Sequence, residues 1–286
     1  MQWPGSSAPA NSRENTHFAM TQVALFLIPL FGITWTLGLL WRPPAAPEGM
    51  GAFLAHLLPS VWAPTIIALI VTRATEGAGG VRKELRARLR HGHRSAGWLL
   101  LAGILPIVAA GAAIFSARAA GDGAPFVPPA AILPTIGLQL VTGAVGEELG
   151  WRGFLLPRLA RRLGEMGSAW TMALLWGLWH VPAFFTPGMP HRTWPLISTL
   201  LFIGLFGVFL AFLFNRTGQS VLATMLAHLS LNIMLAIGGV RLSSVVFWRI
   251  LAGIYGALAV LATVTSRRRL SHIDHDRFVT LDEDSC

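Results

Sequence analysis

The sequence predicts an all-α protein, a polytopic transmembrane helical bundle of about eight spans with both termini in the cytoplasm. Its composition is 53% hydrophobic and only 12% charged, with a mean hydropathy of +0.59, which is not typical of soluble globular proteins. The apolar residues fall in blocks of about twenty, the length a helix needs to cross a hydrocarbon core of about 30 Å. The basic residues cluster between alternate blocks.

Eight apolar segments make up the predicted membrane domain, residues 17–266, between a polar amino-terminal arm at 1–16 and a tail at 267–286. The first apolar segment is too long for a signal-peptide core, so we expect it to remain as a span. Pro157 lies in the continuation of the fourth helix, and a proline at such a position can end the helix early. The segments lie near residues 18–41, 50–71, 96–116, 131–150, 168–185, 195–214, 221–238 and 245–265.

The distribution of basic residues predicts the orientation. Seventeen of the 22 Lys and Arg residues flank the spans on one side, which the positive-inside rule assigns to the cytoplasm. The net charge of +9 would suit nucleic acid, but short basic clusters between apolar blocks are typical of contacts with anionic lipid. We therefore predict a multi-pass protein of the cell membrane with lipid and no nucleic acid as partner. The excess of Arg over Lys and the richness in Ala and Gly favour a bacterial inner membrane.

Several aromatic, imidazole and thiol residues receive purely structural interpretations. Four tryptophans close to predicted span ends are expected to be interfacial anchors: Trp151, Trp170, Trp194 and Trp248. Seven histidines near interfaces, in loops or in the tail are expected to be solvated: His17, His56, His91, His93, His191, His272 and His275. The single cysteine, Cys286, excludes an internal disulfide and is expected to be an exposed thiol.

The acidic pair Glu147 and Glu148 interrupts a strongly apolar region of a chain with only 13 Asp and Glu residues. Ionisable groups at membrane depth are costly and usually mark a functional site. Arg152 lies four residues beyond Glu148, so the two can pair on one helix face while Arg152 reaches towards water. Glu147 is about 100° round the helix from Glu148 and is expected to face a cavity.

Two later helices supply groups at a similar depth. Counted from the expected membrane surface at the helical rise, Glu147 lies about 21 Å in and His180 about 18 Å in. His228 and Asn232 lie roughly 14 and 20 Å in and share one helix face, because they are four residues apart. The sequence therefore predicts a catalytic or transport site where the three helices meet.

Three motifs carry a resemblance to a known family. Glu147-Glu-Leu-Gly-Trp-Arg152 fits Glu-Glu-x-x-x-Arg, and His228-Leu-Ser-Leu-Asn232 fits His-x-x-x-Asn. Between them, Trp176-Gly-Leu-Trp-His180 is similar to Phe-x-x-x-His, with Trp in place of Phe. Their order over about 110 residues resembles the CPBP (ABI) family of intramembrane proteases, which includes the CAAX prenyl endopeptidases of the Ras-converting type.

The resemblance implies a glutamate-dependent peptidase that cleaves a membrane-associated protein or peptide, prenylated or not. Glu147 would activate water with help from His180, and His228 with Asn232 would stabilise the oxyanion of the tetrahedral intermediate. Hydrolysis of an amide needs a base for water and fixed donors where negative charge develops. A supporting role is implied for Glu148, Arg152 and Trp176.

Other interpretations of the same residues stay open. Glu147, His180 and His228 would also serve as three ligands of a zinc ion with water as the fourth, so the cofactor is either absent or a divalent metal. A proton-coupled transporter would use Glu147 and His180 as a relay. A non-catalytic membrane scaffold or immunity protein would keep the motifs as a structural network. The motifs His-Glu-x-x-His, Gly-x-Gly-Asp and Gly-x-Ser-x-Gly are absent from the sequence.

Overall fold

The computed structural model of this protein describes residues 10–40, 50–89 and 96–283, with side chains for 15–40, 54, 55, 57–89 and 96–266. The expectations for His56, His91, His93, His272, His275 and Cys286 lie outside the described side chains. Nine α-helices are found within the described ranges: α1 (Ala10–Leu40), α2 (Met50–Leu89), α3 (Ala96–Ala119), α4 (Pro129–Val141), α5 (Ala144–Glu148), α6 (Leu156–His180), α7 (Leu196–Arg216), α8 (Val221–Ile237) and α9 (Val245–Glu283). A π-helical segment, Leu149–Leu155, joins α5 to α6, and two 3₁₀ segments precede α7, Val181–Phe184 and Pro190–Thr193.

The all-α polytopic class is confirmed, and the predicted spans, about eight, correspond to six long helical stretches and one shorter apolar helix among the described residues. Among the described residues, six helical stretches are long and apolar enough to cross a membrane. Predicted spans four and five fall within a single continuous stretch, Pro129–Phe184, and predicted span seven corresponds to the shorter helix Val221–Ile237. The six stretches long and apolar enough to cross a membrane are Asn15–Leu40, Leu57–Leu89, Ala96–Ala119, Pro129–Phe184, Leu196–Arg216 and Val245–Ser266.

The long stretch Pro129–Phe184 reverses direction at Gly164, inside α6. Gly164 has φ 67° and ψ −177°, a conformation that glycine adopts without a steric cost. A straight helix would separate Glu147 from Trp176 by about 44 Å. Their side chains are instead hydrogen-bonded at 2.9 Å, so the two parts of the stretch run back alongside each other. The chain thus reverses direction at Gly164 without leaving the helical conformation on either side, and the stretch contains two antiparallel spans.

The predicted fourth span contains one break, and it continues through Pro157, the residue at which the sequence suggested a shorter helix. α4 ends at Val141, and α5 restarts from Gly143 as its N-terminal cap. The helix then passes through Pro157, because the preceding π-helical turns accommodate the proline ring and its missing N–H. The backbone N–H of Leu156 accordingly bonds to the carbonyl of Trp151, five residues earlier. The π segment follows the acidic pair directly and enlarges the helix at that point.

Aromatic side chains fill the centre of the bundle, where α7 packs between α6 and α9 and α3 packs against α8 and α9. The interfacial role expected for Trp151 and Trp248 is wrong, since both are fully buried. Trp151 contacts Phe26 and Trp179, and the Trp248 indole donates to the carbonyl of Leu242 at 2.7 Å. Their large apolar surfaces are buried by neighbouring helices rather than by the membrane interface.

Two glycines allow α2 to pack directly against the helix that carries the acidic pair. A Cβ at Gly146 would lie 2.9 Å from the carbonyl oxygen of Val61, and one at Gly150 would overlap the backbone of Pro64. The spacing Gly-x-x-x-Gly is typical of close contacts between membrane helices, which are stabilised by backbone approach and dispersion. α2 therefore fixes the position of α5 and of both glutamates.

We expect Gly150→Ala to destabilise the protein by about 1–3 kcal/mol, because α2 must move away to admit the new methyl group. Gly111→Ala in α3 is the matched control, since nothing lies within 4 Å of its added Cβ. That control should be neutral or stabilise the fold slightly through helix propensity. Thermal unfolding of both variants in detergent measures the difference. Equal melting temperatures for the two variants would contradict the close contact.

Candidate active site

The acidic pair lies on the short helix α5, and its two carboxylates are held in different ways. Glu147 has 5% and Glu148 0% of its surface exposed. The Glu147 side chain lines a cavity, and its Oε2 accepts a hydrogen bond of 2.9 Å from the indole Nε1–H of Trp176. Trp176 comes from the returning part of α6, so this bond joins the two antiparallel arms.

Glu148 lies behind the cavity and is bound by two partners. Its Oε1 accepts a hydrogen bond of 2.9 Å from Arg152 Nη1 and lies 2.9 Å from His228 Nδ1. The expectation that Arg152 reaches towards water is wrong, because its side chain is fully buried. Its guanidinium instead lies 4.3 Å from the Trp176 ring centroid, where the π segment encloses it against α2 and α6. Its Nε and Nη2 atoms have no hydrogen-bond partner among the described residues.

His180 is the last residue of α6 and presents one defined nitrogen to the cavity. Its Nδ1 lies 2.7 Å from the backbone carbonyl of Trp176. A carbonyl only accepts hydrogen bonds, so this contact places the proton on Nδ1 and leaves Nε2 as an acceptor in the neutral ring. The rings of Trp176 and Trp179 meet the imidazole edge-on at centroid distances of 5.0 and 4.9 Å. These contacts fix the orientation of the His180 ring.

His228 and Asn232 both line the cavity from one face of α8, as their spacing predicts. The contact of His228 Nδ1 with Glu148 leaves Nε2 as the ring nitrogen free for other partners. Asn232 packs against the break between α4 and α5. A Cβ at Gly143 would lie 2.6 Å from Asn232 Nδ2, so glycine at the start of α5 makes room for this amide.

The cavity itself has a volume of about 450 Å³ and is lined by residues of α1, α2, α4, α5, α6, α7, α8 and α9. Most of its wall is apolar and aromatic, including Trp194, Phe202 and Phe206. An apolar cavity of this size with a few convergent polar groups is typical of ligand and substrate sites. Five of the seven residues predicted for the site line it, namely Glu147, Trp176, His180, His228 and Asn232.

His191 is a cavity residue that the sequence interpretation missed. It was expected to be solvated, but its half-buried ring lines the cavity, with centroids 4.0 Å from Trp194 and 6.3 Å from His180. Burial, with a smaller effect of His180, lowers the pKa of His191 to about 3. Helical periodicity does not predict the position of His191, because the residue lies outside the α-helices. It belongs to the 3₁₀ segment Pro190–Thr193, which contributes to the cavity wall. In the sequence, the short separation of His191 from Trp194 is a weak indication that the two side chains lie together.

A metal centre is not preformed by these groups. Within the described part of the chain, no three His, Cys, Asp or Glu side chains are grouped so that they could hold a metal ion. Trp176 holds only Oε2 of Glu147, and Glu148 holds only Nδ1 of His228, so each of these side chains keeps one donor atom unengaged. Glu147, His180 and His228 are thus not grouped as a ligand set in this structure, although the chemistry of their free atoms would suit zinc.

Comparison with known proteins finds a family match in the part of the chain that contains these residues. Residues 129–234 match the model of the family described as type II CAAX prenyl endopeptidase, Rce1-like. This match begins at α4, ends within α8 and includes all seven residues predicted for the site. The chain contains a CPBP-family region.

A curated relative supports the assignment. CAAX prenyl protease 2 of Methanococcus maripaludis is 24% identical over 100 residues, which cover 33% of this chain and 37% of the relative. The chain thus matches little more than a third of that protein. The acidic pair, the two cavity histidines of the motifs and Asn232 all lie within residues 129–234, the region that matches the family model.

Proposed function

We propose that this protein is an intramembrane, glutamate-dependent endopeptidase that hydrolyses a peptide bond of a membrane-associated protein or peptide. The observation that carries the proposal is a buried carboxylate, Glu147, facing an apolar cavity together with two imidazoles and an amide. The CPBP-family region supports a peptidase. We place the protein in the bacterial inner membrane with both termini in the cytoplasm, as the basic loops predict.

We assign the activation of water to Glu147 and His180. Trp176 occupies one carboxylate oxygen of Glu147, so Oε1 is available to a water molecule in the cavity. The Nε2 atom of neutral His180 is a second acceptor, because its Nδ1 proton is bound to the Trp176 carbonyl. A water held between these groups loses a proton to the carboxylate as its oxygen attacks the scissile carbonyl. The same proton is then returned to the leaving amine.

We assign the stabilisation of the tetrahedral intermediate to His228 and Asn232. The amide Nδ2 of Asn232 is a donor in either ionisation state of the site, and His228 Nε2 donates when the ring carries protons on both nitrogens. Glu148 holds His228 through Nδ1, so the ring orientation is set before substrate binds. Donors fixed where negative charge develops are usually worth several kcal/mol to the transition state.

The charges behind the cavity explain the supporting roles. Glu148 and Arg152 form a fully buried ion pair, which leaves the Glu147 carboxylate as the surplus negative charge of the acidic pair. A buried pair with both partners present avoids the large cost of an uncompensated charge. Glu148 and Arg152 thus act on the reaction through His228 and Trp176, which they contact.

The cleavage assay uses purified protein in proteoliposomes with fluorescent peptides anchored in the bilayer, offered as prenylated and unprenylated pairs. We expect hydrolysis at a defined bond, and the comparison within each pair shows whether prenylation is required. Uptake of solute that depends on a pH gradient, without cleavage of any peptide, would support the transporter instead. Absence of both activities in folded protein would favour the scaffold.

We expect the same cleavage rate after exhaustive chelation, because Glu147 and His180 each present a free acceptor atom that can take a proton from water. The measurement is the rate before and after dialysis against a strong chelator, followed by addition of zinc. Loss of activity that zinc restores would instead assign Glu147, His180 and His228 as ligands.

A further inference from the structure

Trp176 contacts four of the five charged or imidazole groups of the predicted site, Glu147, Arg152, His180 and His228. Its indole Nε1–H donates to Glu147, and the face of its ring lies 4.3 Å from the Arg152 guanidinium. The rings of His180 and His228 meet it edge-on at 5.0 and 5.5 Å. The side chain is only 2% exposed, so these contacts hold it on all sides. Trp176 therefore lies between the acidic helix α5 and the two imidazoles.

The indole constrains the carboxylate that it binds. A glutamate side chain has three rotatable bonds, and Glu147 belongs to a helix of only five residues. An indole has one N–H donor in a rigid ring, so its direction is set by the packing of that ring. The packed Trp176 ring thus holds Oε2 of Glu147 in one place, and the remaining oxygen has one orientation towards the cavity.

We propose that Trp176 is a positioning residue, whose indole N–H fixes the Glu147 carboxylate in the orientation that activates water. This inference rests on the proposed function, and it gives Trp176 a specific hydrogen-bonding role beyond shaping the cavity. A phenylalanine ring at position 176 would keep the aromatic contacts with Arg152, His180 and His228. It would lack the donor, so only the constraint on Glu147 would be lost.

The kinetic test compares Trp176→Phe with Trp151→Phe. Both residues are buried, but Trp151 Nε1 has no hydrogen-bond partner among the described residues and does not line the cavity. We expect Trp176→Phe to lower kcat by about 10-fold or more with KM within about twofold, because a charge-assisted hydrogen bond is lost from the base. Trp151→Phe should keep kcat within about twofold. Equal kcat values for the two variants would overturn the inference.

Loss of folding is separated from loss of the donor by a second replacement. Trp176 is exchanged for its benzothiophene analogue, in which sulfur replaces the N–H group and the shape is retained. We expect this protein to unfold at the temperature of the wild type and to show the low kcat of Trp176→Phe. Wild-type kcat in the analogue would show that the ring and not its donor matters.

A spectroscopic test is independent of cleavage. Ultraviolet resonance Raman spectra of wild type minus Trp176→Phe isolate the Trp176 signal, whose indole band reports the hydrogen bond of the N–H group. We expect a bonded indole in the wild type and an unbonded one in Glu147→Ala. A bonded indole in a protein that cleaves nothing would contradict only the proposed function. An unbonded indole in the wild type would contradict the role of Trp176 whatever the cleavage assay gives.

Discussion

Replacing Glu147 with Gln is expected to lower kcat by about 10³-fold or more, because the amide cannot accept a proton from water. The substitution preserves the volume of the side chain, and its amide oxygen still accepts the indole hydrogen bond of Trp176. Folding and membrane insertion should therefore be retained. Steady-state cleavage in proteoliposomes gives kcat, and gel filtration with thermal unfolding in detergent checks the fold.

Glu165→Gln is the matched control for this prediction. Glu165 is half-buried at the turn within α6, where its carboxylate accepts a hydrogen bond of 3.2 Å from Ser266, and it does not line the cavity. We expect its cleavage rate to stay within about twofold of the wild type. If folded Glu147→Gln also cleaved at a rate within tenfold of the wild type, Glu147 would not be the base.

Arg152→Met is expected to produce the largest loss of stability, about 3–5 kcal/mol, because it leaves the Glu148 carboxylate buried without its cationic partner. Both side chains are fully buried, and the guanidinium also covers the Trp176 ring. This loss is a large part of the stability of an ordinary domain, so the melting temperature should fall well below that of the wild type. Chemical or thermal unfolding in detergent measures the change.

Two further variants separate charge from packing in this prediction. Arg161→Met removes an equivalent charge from an exposed position of α6 and should change stability by less than about 0.5 kcal/mol. Adding Glu148→Leu to Arg152→Met removes the orphaned carboxylate, and the double variant should recover most of the lost stability. A double variant no more stable than Arg152→Met would show that packing, not charge, dominates.

The sequence predicted the groups that meet in the cavity because their spacing reflects local helix geometry. His228 and Asn232 share a face at four residues apart, and Glu147 and Glu148 point in different directions because successive helical residues turn by about 100°. These relations hold for any helix, and the structure has them. The catalytic roles of these residues stay predictions.

The features that the sequence did not reveal depend on contacts between distant segments. Gly164 lies between two apolar segments and gives no sign that the helical chain reverses there. Arg152 was expected at a water-facing helix end, but the π segment and the Trp176 ring enclose it. His191 lies in a loop whose course over the cavity is set by packing rather than by periodicity.

The weak attachment of α4 has a consequence for how a substrate confined to the bilayer would reach Glu147 in the proposed peptidase. None of the residues of Pro129–Val141 is buried, although Leu138 and Gln139 form part of the cavity wall. Segments with few buried contacts separate from a protein at a small fraction of its global unfolding free energy. We therefore expect lateral displacement of this helix, which would admit an extended chain from the lipid phase, to cost less free energy than separating the tightly packed central helices. If the protein is the proposed peptidase, we expect its cleavage rate to depend on the lateral pressure of the surrounding bilayer.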